Sequence, residues 1–387
     1  MKHLIRGTKK RGIASVAGLV ALLFLPNSEA ASPKFDWADT GSLAHPRSEH
    51  SGTLLLNGQV LVAGGIGRKG VDEPVLHSVE LYDPATGNWS ITGRLTDARY
   101  AHTATVLLDG KVLVTGGVAS DYRTQLTSAE LYDPDSGQFT MTASMNTRRT
   151  SHVAVRLLDG RVLVAGGYDG REFLTSAEIY DPSTGTWTFT GNMNVARTGL
   201  GVLLHSGQVL IMGGTSLADY QTAELYDPET GVWTLTGSMV DSRSSGYTAT
   251  RLRDGRVLVT GGIGTRGWLK SCELYDPATG SWRRTGEMRM TRILHQAVLL
   301  PGGHVLVTGG QSNEQGGLSF PTLTQTYNPK SGRWMNSGRL IDGRFLHSTN
   351  PLPGGEVLVA GGASQLARGV IVRGCELGTP VTSSTQP

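Results

Sequence analysis

The strongest constraint on the fold is an internal repeat marked by paired glycines. A glycine doublet follows a short apolar run at seven places, and successive doublets are 47 to 52 residues apart. The first residues of the doublets are Gly64, Gly116, Gly166, Gly213, Gly261, Gly309 and Gly361. Glycine supplies 53 of the 387 residues, about double its usual share of ~7%. This pattern predicts tandem copies of one small unit rather than a disordered or collagen-like chain.

Each of the first six repeats also carries a tyrosine and, seven residues later, a second aromatic residue. These pairs are Tyr82–Trp89, Tyr132–Phe139, Tyr180–Trp187, Tyr226–Trp233, Tyr275–Trp282 and Tyr327–Trp334. A repeat contains four short strand patterns separated by turns such as Asp-Gly and Thr-Gly. The second strand is apolar at every position, so both of its faces should be buried. We therefore predict an all-β fold, a seven-bladed β-propeller of four-stranded blades.

The glycine doublet followed by a Tyr and a Trp with six residues between them resembles the signature of the kelch-repeat β-propeller family. The resemblance extends over about residues 37–380. It implies a propeller but no particular activity, because kelch propellers include sugar epimerases and many protein-binding modules. The phrase Asp-Gly-Arg-Val-Leu-Val-x-Gly-Gly also resembles blades of galactose oxidase and related copper-radical oxidases.

The oxidase resemblance implies a copper site with two histidines and a tyrosine cross-linked to cysteine. In that family the tyrosine lies two residues after an arginine in the link between blades. The corresponding positions here are Glu49, Ala101, Ser151, Gly199, Ser245, Leu294 and Leu346. Without a tyrosine at these positions, we expect no copper-radical site. The sequence also has no HExxH motif and no paired C-x-x-C motif, so we expect no other metal, and we expect no cofactor.

The two ends of the repeat array are complementary. The segment from Asp36 to Leu43 matches a fourth strand, whereas the last unit ends without a Trp. We therefore expect the strand of Trp37 to complete the last blade and to close the ring, which removes the open sheet edges. A closed ring favours a monomer.

The first 30 residues have the features of a secretory signal peptide. Five lysines and arginines lie within the first eleven positions, an apolar run extends from Ile13 to Leu25, and small residues surround a cleavage site near Ala30. We expect residues 31–387 to form the propeller and to be exported to the periplasm, the cell surface or the medium. No later segment is apolar enough to span a membrane. Residues 31–387 contain 30 basic and 31 acidic residues, which disfavours nucleic-acid binding.

The chain contains only two cysteines, Cys272 and Cys375. They occupy equivalent third-strand positions in blades 5 and 7, with blade 6 between them. A disulfide needs Cα atoms within about 7 Å. We therefore predict two free, buried thiols.

Antiparallel connectivity predicts two different faces of the disc. The loop face contains the links between blades and the loops that follow the glycine doublets. The turn face contains the Asp-Gly turns and the Tyr-Asp-Pro turns. The loops vary in length and composition, and variable loops on a rigid scaffold are where binding sites usually lie.

One arginine recurs in every link on the loop face. The seven are Arg47, Arg99, Arg149, Arg197, Arg243, Arg292 and Arg344. Guanidinium groups near a channel mouth are suited to binding carboxylates or phosphates, so these arginines are candidate ligand-binding residues. The alternative is structural: the third strands carry Glu80, Glu130, Glu178, Glu224, Glu273, Gln325 and Glu376 with the same period. Arg–Glu pairs would occupy both sets, and recurrence in every blade favours this interpretation.

Histidines follow five of these arginines by three residues, at His50, His102, His152, His295 and His347. A ring of histidines suggests a metal site. Equivalent points of different blades lie too far apart to share one metal ion, because zinc–nitrogen bonds are only ~2.1 Å long. We expect these histidines to pack or cap strands.

The loops after the doublets supply further candidate binding residues. They are Trp268, Arg266, Tyr122, Arg123, Tyr168, Arg171 and Tyr220. Aromatic rings beside charged groups suit sugar or peptide recognition. Trp268 is the only tryptophan after Trp37 that lies outside the repeat pattern, although packing beneath its own loop would also explain it.

The sequence as a whole favours a non-catalytic binding module that recognises a protein or carbohydrate through the loop face. The alternative is a carbohydrate-active enzyme, of the oxidase or epimerase class, with its site in the central pocket of that face. No G-x-S-x-G nucleophile elbow and no phosphate-binding P-loop is present.

Overall fold

The structure is a computed structural model that describes residues 32–68, 73–214, 219–314, 317–364 and 370–381. The expected signal peptide lies outside the described residues. Within them the chain forms β-strands joined by turns and loops. No helix of the described segments has the length and apolar character needed to cross a membrane.

Seven four-stranded antiparallel sheets account for most of the strands. β1 (Phe35–Thr40) opens the described chain. Blade 1 contains β2 (Ser51–Leu54), β3 (Val60–Ala63), β4 (Ser78–Asp83) and β5 (Asn88–Arg94). Blade 2 contains β6 (Thr103–Val106), β7 (Val112–Thr115), β8 (Ala129–Asp133) and β9 (Gln138–Met141). Blade 3 contains β10 (Val153–Arg156), β11 (Val162–Ala165), β12 (Ala177–Asp181) and β13 (Thr186–Phe189).

The remaining blades follow the same order. Blade 4 contains β14 (Leu200–Leu203), β15 (Val209–Met212), β16 (Ala223–Asp227) and β17 (Val232–Leu235). Blade 5 contains β18 (Tyr247–Arg251), β19 (Val257–Gly261), β22 (Cys272–Asp276) and β23 (Ser281–Thr285), with a small hairpin of β20 (Ile263–Gly264) and β21 (Gly267–Trp268) in its loop. Blade 6 contains β24 (Gln296–Leu299), β25 (Val305–Thr308), β26 (Leu323–Asn328) and β27 (Arg333–Arg339).

Blade 7 is built from both ends of the described chain. It contains β29 (Ser348–Pro351), β30 (Val357–Ala360) and β33 (Cys375–Pro380), and β1 is its outer strand. A small sheet of β28 (Arg344–Phe345), β31 (Ala363–Ser364) and β32 (Val370–Ile371) lies in its loop region.

The first strands of the blades lie side by side around the axis. Each contacts the first strand of the next blade, in the order β2, β6, β10, β14, β18, β24 and β29, and β29 contacts β2. The second strands are buried at every position, as their uniform apolar sequence predicts. The hydrophobic core consequently lies between facing blades. For example, Ile179 of blade 3 and Val209, Ile211 and Trp233 of blade 4 share one cluster.

The repeated aromatic pair holds neighbouring blades together. The rings of Tyr180 and Trp187 lie 5.0 Å apart. The Tyr180 hydroxyl is 2.9 Å from the Thr142 hydroxyl of the preceding blade, and Trp187 Nε1 donates to the Ala143 carbonyl at 2.8 Å. The tyrosine–threonine contact recurs in the first six blades. The sequence signature therefore belongs to the seams between blades.

The junction of the two chain ends has no such tyrosine. β1 pairs with β33 antiparallel, with Trp37 opposite Gly378. The Trp37 indole is half-buried and covers that glycine, where a Cβ would lie 2.9 Å from the ring. Phe35 is only 3% exposed and packs with Leu300, Leu306 and Val357 in one cluster. Phe35, rather than Trp37, is thus the buried anchor of this strand.

We expect Phe35→Ala to lower the free energy of unfolding by about 3–5 kcal/mol, because it removes a buried aromatic side chain from the closing strand. Urea unfolding followed by tryptophan fluorescence measures the change. The matched control is Phe189→Ala on the outer strand of blade 3, where the ring is 60% exposed and the expected change is within about 0.5 kcal/mol. Equal effects of the two substitutions would show that β1 does not stabilise the ring.

Candidate functional site

The link arginines are buried, and this corrects their assignment as ligand-binding candidates. All seven are at most 3% exposed. In six blades the guanidinium pairs with the third-strand glutamate of the same blade at 2.6–2.8 Å: Arg47–Glu80, Arg99–Glu130, Arg149–Glu178, Arg197–Glu224, Arg243–Glu273 and Arg344–Glu376. The structural alternative accounts for these arginines, because their charged groups are already bound inside the blade and present no surface to a ligand.

The arginine and glutamate together fix the link to its blade. In blade 3, Arg149 Nη1 donates to the Gly166 carbonyl at 2.9 Å. Glu178 accepts the backbone N–H groups of Asn146 and Thr147 in the link. Gly166 has a φ of 64° and lies so close to the Arg197 carbonyl of the next link that any Cβ would collide with it. The glycine doublet is therefore required for the close approach of neighbouring blades.

Blade 6 departs from this arrangement. Its third strand carries Gln325, and the Arg292 guanidinium instead donates to the carbonyls of Gly309 and Leu323. The Gln325 side-chain oxygen accepts the Arg289 N–H at 3.2 Å. Burial without a neighbouring carboxylate lowers the pKa of Arg292 to about 10.

The five recurring histidines also lie in the seams between blades, as expected for packing residues. His152 Nε2 is 2.9 Å from the Thr103 hydroxyl of the preceding blade. His295 Nε2 is likewise 2.8 Å from the Thr260 hydroxyl of the preceding blade. The other three make equivalent contacts to Ser348, Ser51 and Thr308. Burial lowers the pKa of His152 and His295 to about 3, so these imidazoles are neutral at pH 7.

Blade 5 has Gly246 in place of the histidine and uses the next residue instead. The Tyr247 hydroxyl donates to the Met212 carbonyl of blade 4 at 2.6 Å. Burial raises the pKa of Tyr247 to about 12. This seam residue was not found by sequence reasoning, because it lies one position outside the repeat register.

The residues two positions after the link arginines connect the blades at the loop face. Glu49, Ala101, Ser151, Leu294 and Leu346 all have φ between 50° and 53°. The Ala101 N–H donates to the Glu49 carbonyl at 3.3 Å, and the Ser151 N–H donates to the Ala101 carbonyl at 3.2 Å. Hydrogen bonds of this kind bring successive links together.

Glu49 is the charged member of this set, and sequence reasoning did not assign it a binding role. Its side chain is half-buried, and desolvation raises its carboxyl pKa. Tyr100 lies beside Glu49, because the N–H of the following residue, Ala101, donates to the Glu49 carbonyl. Burial and the Glu49 charge both raise the pKa of Tyr100. An acidic residue at a position that otherwise carries small or apolar residues is the sequence signal that would have identified it.

The links and the loops after the doublets share one face, as predicted. Bridges join Tyr100 to Val118 and Val118 to Gln125 in blade 2, and Thr150 to Tyr168 and Tyr168 to Phe173 in blade 3. The loops therefore rest directly on the links. Lys69, Asp72 and Arg368, which are also loop positions, lie outside the described residues.

Two of the predicted loop aromatics belong to ring pairs in adjacent blades. Tyr122 lies 5.9 Å from Tyr100 between ring centres, and Tyr168 lies 5.3 Å from Phe173. Tyr122 is 45% exposed and Phe173 is 46% exposed. The two loops meet where the Gln125 side chain of blade 2 lies against Gly170 of blade 3. We call Tyr100, Tyr122, Tyr168 and Phe173 the aromatic patch.

The other predicted loop residues lie around this patch or in other blades. Arg123 and Arg171 are exposed in the loops of blades 2 and 3. Tyr220 is half-buried in blade 4. Arg266 is exposed at the tip of the blade 5 hairpin, where Trp268 is half-buried and opposite Ile263. The ring pairs of the described segments do not include Tyr220 or Trp268.

Cys272 and Cys375 are free and buried, as predicted. Burial raises the pKa of the Cys272 thiol to about 12 and that of the Cys375 thiol to about 11. With the histidines bonded to hydroxyls in the seams, the side chains that the structure describes do not fit the copper site implied by the oxidase resemblance.

Comparisons with known proteins agree with this architecture. The family model described as the KLHDC2/KLHL20/DRC7 Kelch-repeats domain matches residues 49–250. A kelch motif model matches residues 247–289. A search of curated proteins finds no match.

Among solved structures, the chain is similar to a fungal alcohol oxidase of the AA5 family, solved in complex with copper. The TM-score is 0.70 at 16% identity, over 90% of this chain and 76% of the other. At this identity the likeness concerns the fold alone. The matched family models, the seven-repeat sequence and the four-stranded sheets together show that this chain belongs to the kelch-repeat β-propeller family.

Proposed function

We propose that this chain is an exported, monomeric binding module that recognises a protein or carbohydrate ligand through its loop face. The observation that supports the proposal is the aromatic patch on the adjoining loops of blades 2 and 3. Its ring pairs lie outside the repeated blade signature and leave Tyr122 and Phe173 about half exposed. Rigid aromatic side chains with accessible faces provide contact area at low entropic cost.

The chemistry around the patch suits both classes of ligand. Arg123 and Arg171 provide exposed guanidinium groups on the same two loops. Asp121 and Asp169 organise those loops by accepting backbone N–H groups of the residues that follow them. The two aspartate side chains therefore stabilise the turns that carry Tyr122 and Phe173.

A screen of glycans and peptides against residues 31–387 tests the proposal. We expect the Tyr122→Ala/Phe173→Ala variant to bind the selected ligand at least tenfold more weakly, because it removes both exposed rings. Trp268→Ala and Arg266→Ala report whether the blade 5 hairpin contributes to the same site. Phe189→Ala, which removes an exposed ring from the outer strand of blade 3, is the control and should bind normally. Normal binding by all loop-face variants would contradict the proposal.

The alternative function, a carbohydrate-active enzyme, is favoured by one specific observation. Glu49 and Tyr100 are neighbours on the loop face, and each has a raised pKa. A carboxyl group with a raised pKa is suited to general acid catalysis. The Glu49→Gln variant distinguishes the two functions: an enzyme would lose turnover and keep its ligand, whereas a binding module would show no turnover with or without Glu49.

A further inference from the structure

We propose that the turn face carries a second docking surface, formed by Leu56, Leu108 and Leu158, which accepts a basic amphipathic segment of a partner protein. These three leucines occupy the same position in blades 1, 2 and 3, and they are 72%, 64% and 67% exposed. We call them the leucine arc. This surface lies on the opposite side of the disc from the aromatic patch and is independent of it.

The leucine arc has no counterpart in the other blades. Each Asp-Gly-type turn is preceded by two residues, of which the first is a buried leucine in all seven blades: Leu55, Leu107, Leu157, Leu204, Leu252, Leu300 and Leu352. The second residue is leucine only in blades 1 to 3, and blades 4 to 7 have His205, Arg253, Pro301 and Pro353 there. The first leucine is therefore part of the core of every blade, whereas the fold of a blade does not require a leucine at the second position.

The three leucines form a continuous row. Leu56 lies against Gly110 of blade 2, Leu108 lies against Gly160 of blade 3, and Leu158 lies against Gly207 of blade 4. Each leucine thus bridges to the next turn while its side chain stays exposed. Single exposed leucines are common on protein surfaces, but a contiguous row is typical of an interaction site.

Two clefts lie along this row. One, of about 520 Å³, is lined by Leu108 together with Asp109, Asp159 and Asp181. The other, of about 720 Å³, is lined by Leu158 together with Asp159, Asp227 and Glu229. Each cleft therefore combines an apolar wall with carboxylate groups.

The charge beside the arc is predominantly negative. Arg161, which lines both clefts, is bound by Asp159 at 2.7 Å. Lys111 is 3.7 Å from Asp133, and half-buried Arg156 donates to the Val106 carbonyl of blade 2. Asp109, Asp181, Asp227 and Glu229 are left without a basic partner within ion-pair distance among the described residues. Charge complementarity therefore selects a segment that presents lysine or arginine beside apolar anchors.

The probe for this surface is a fluorescein-labelled amphipathic peptide with leucines on one face and lysines on the other. Its binding to residues 31–387 is measured by fluorescence anisotropy at two salt concentrations. We expect binding that weakens as salt rises, because the carboxylates of the clefts contribute to it. The same peptide with glutamate in place of lysine should bind at least tenfold more weakly.

The decisive comparison is between two double variants that remove equivalent exposed apolar groups. Leu108→Ser/Leu158→Ser should weaken binding of the lysine peptide about tenfold or more. Ile91→Ser/Phe189→Ser, on the outer strands of blades 1 and 3, should change it less than twofold. Because all four side chains are exposed, both variants should fold. Tyr122→Ala should bind the peptide normally, which separates this surface from the loop face.

Three results would overturn the proposal. One is equal binding of the lysine peptide by the two double variants. The second is equal binding of the lysine and glutamate peptides. The third is a dimer, seen by light scattering, that Leu108→Ser/Leu158→Ser converts to a monomer, since the arc would then be occupied by a second copy of this chain.

Discussion

Lowering the pH from 7.5 to 5 is expected to reduce the free energy of unfolding by about 2 kcal/mol for each buried seam histidine. Burial lowers the folded-state pKa from the ordinary value of 6.5 to about 3 for four of them: His102, His152, His295 and His347. Below pH 6.5 the unfolded chain binds protons that the folded chain does not. The stabilising contribution of each neutral imidazole is therefore complete from about one pH unit above 6.5, and it is lost as the pH falls through 6.5 towards 3. The four act in the same direction, so the whole protein is expected to lose more stability than any single histidine accounts for.

Urea unfolding at several pH values measures this loss, and a histidine substitution assigns it. The His152→Gln variant should lose about 2 kcal/mol less than the unmodified protein between pH 7.5 and 5. The control is Phe189→Ala, because it changes an exposed side chain and removes no titratable group, so it should leave the pH dependence unchanged. The comparison between variants is needed because the raised pKa values of Glu49 and Glu376 act in the opposite direction. Identical pH profiles for all three proteins would contradict a neutral histidine in the seam.

The second large effect concerns the buried ion pairs. Glu178→Gln is expected to lower the free energy of unfolding by about 3–5 kcal/mol, because it leaves the buried Arg149 guanidinium without its carboxylate. Gln325→Glu should have the opposite sign and raise stability by about 1–2 kcal/mol, since it supplies the missing partner of Arg292. Blade 6 thus serves as a natural comparison for the other blades.

Thermal and urea unfolding of both variants measure these two changes. An exposed ion pair provides the control: Asp159→Asn disrupts the surface contact with Arg161, and its expected cost is at most about 1 kcal/mol. The interpretation would be wrong if Gln325→Glu destabilised the protein as much as Glu178→Gln. That outcome would mean that the irregular pairing between Thr324 and Gln325 prevents a glutamate from reaching Arg292.

The types of residue in the candidate site could largely be predicted from the sequence, whereas their positions and neighbours could be predicted less well. The sequence predicted that the loop face would carry aromatic residues, and Tyr122 and Tyr168 lie there. It also offered the link arginines as ligand contacts, and the structure shows them buried. An arginine and a glutamate that both recur once per blade can be recognised as a pair from the sequence, because they share the same spacing. Glu49 occurs in one blade only, so its spacing does not indicate which residues lie beside it.

The sequence alone determined the four-stranded unit, its tandem repetition, the two faces of the disc and the burial of both thiols. These properties follow from local alternation, turn residues and register, which are the same in each repeat. Only the tertiary structure decided that Tyr100 pairs with Tyr122, that Gln125 meets Gly170, that the histidines bond hydroxyls of the preceding blade, and that three leucines form a row. Those contacts depend on how neighbouring blades approach one another and on loops of unequal length, and both are set by packing between residues far apart in the chain.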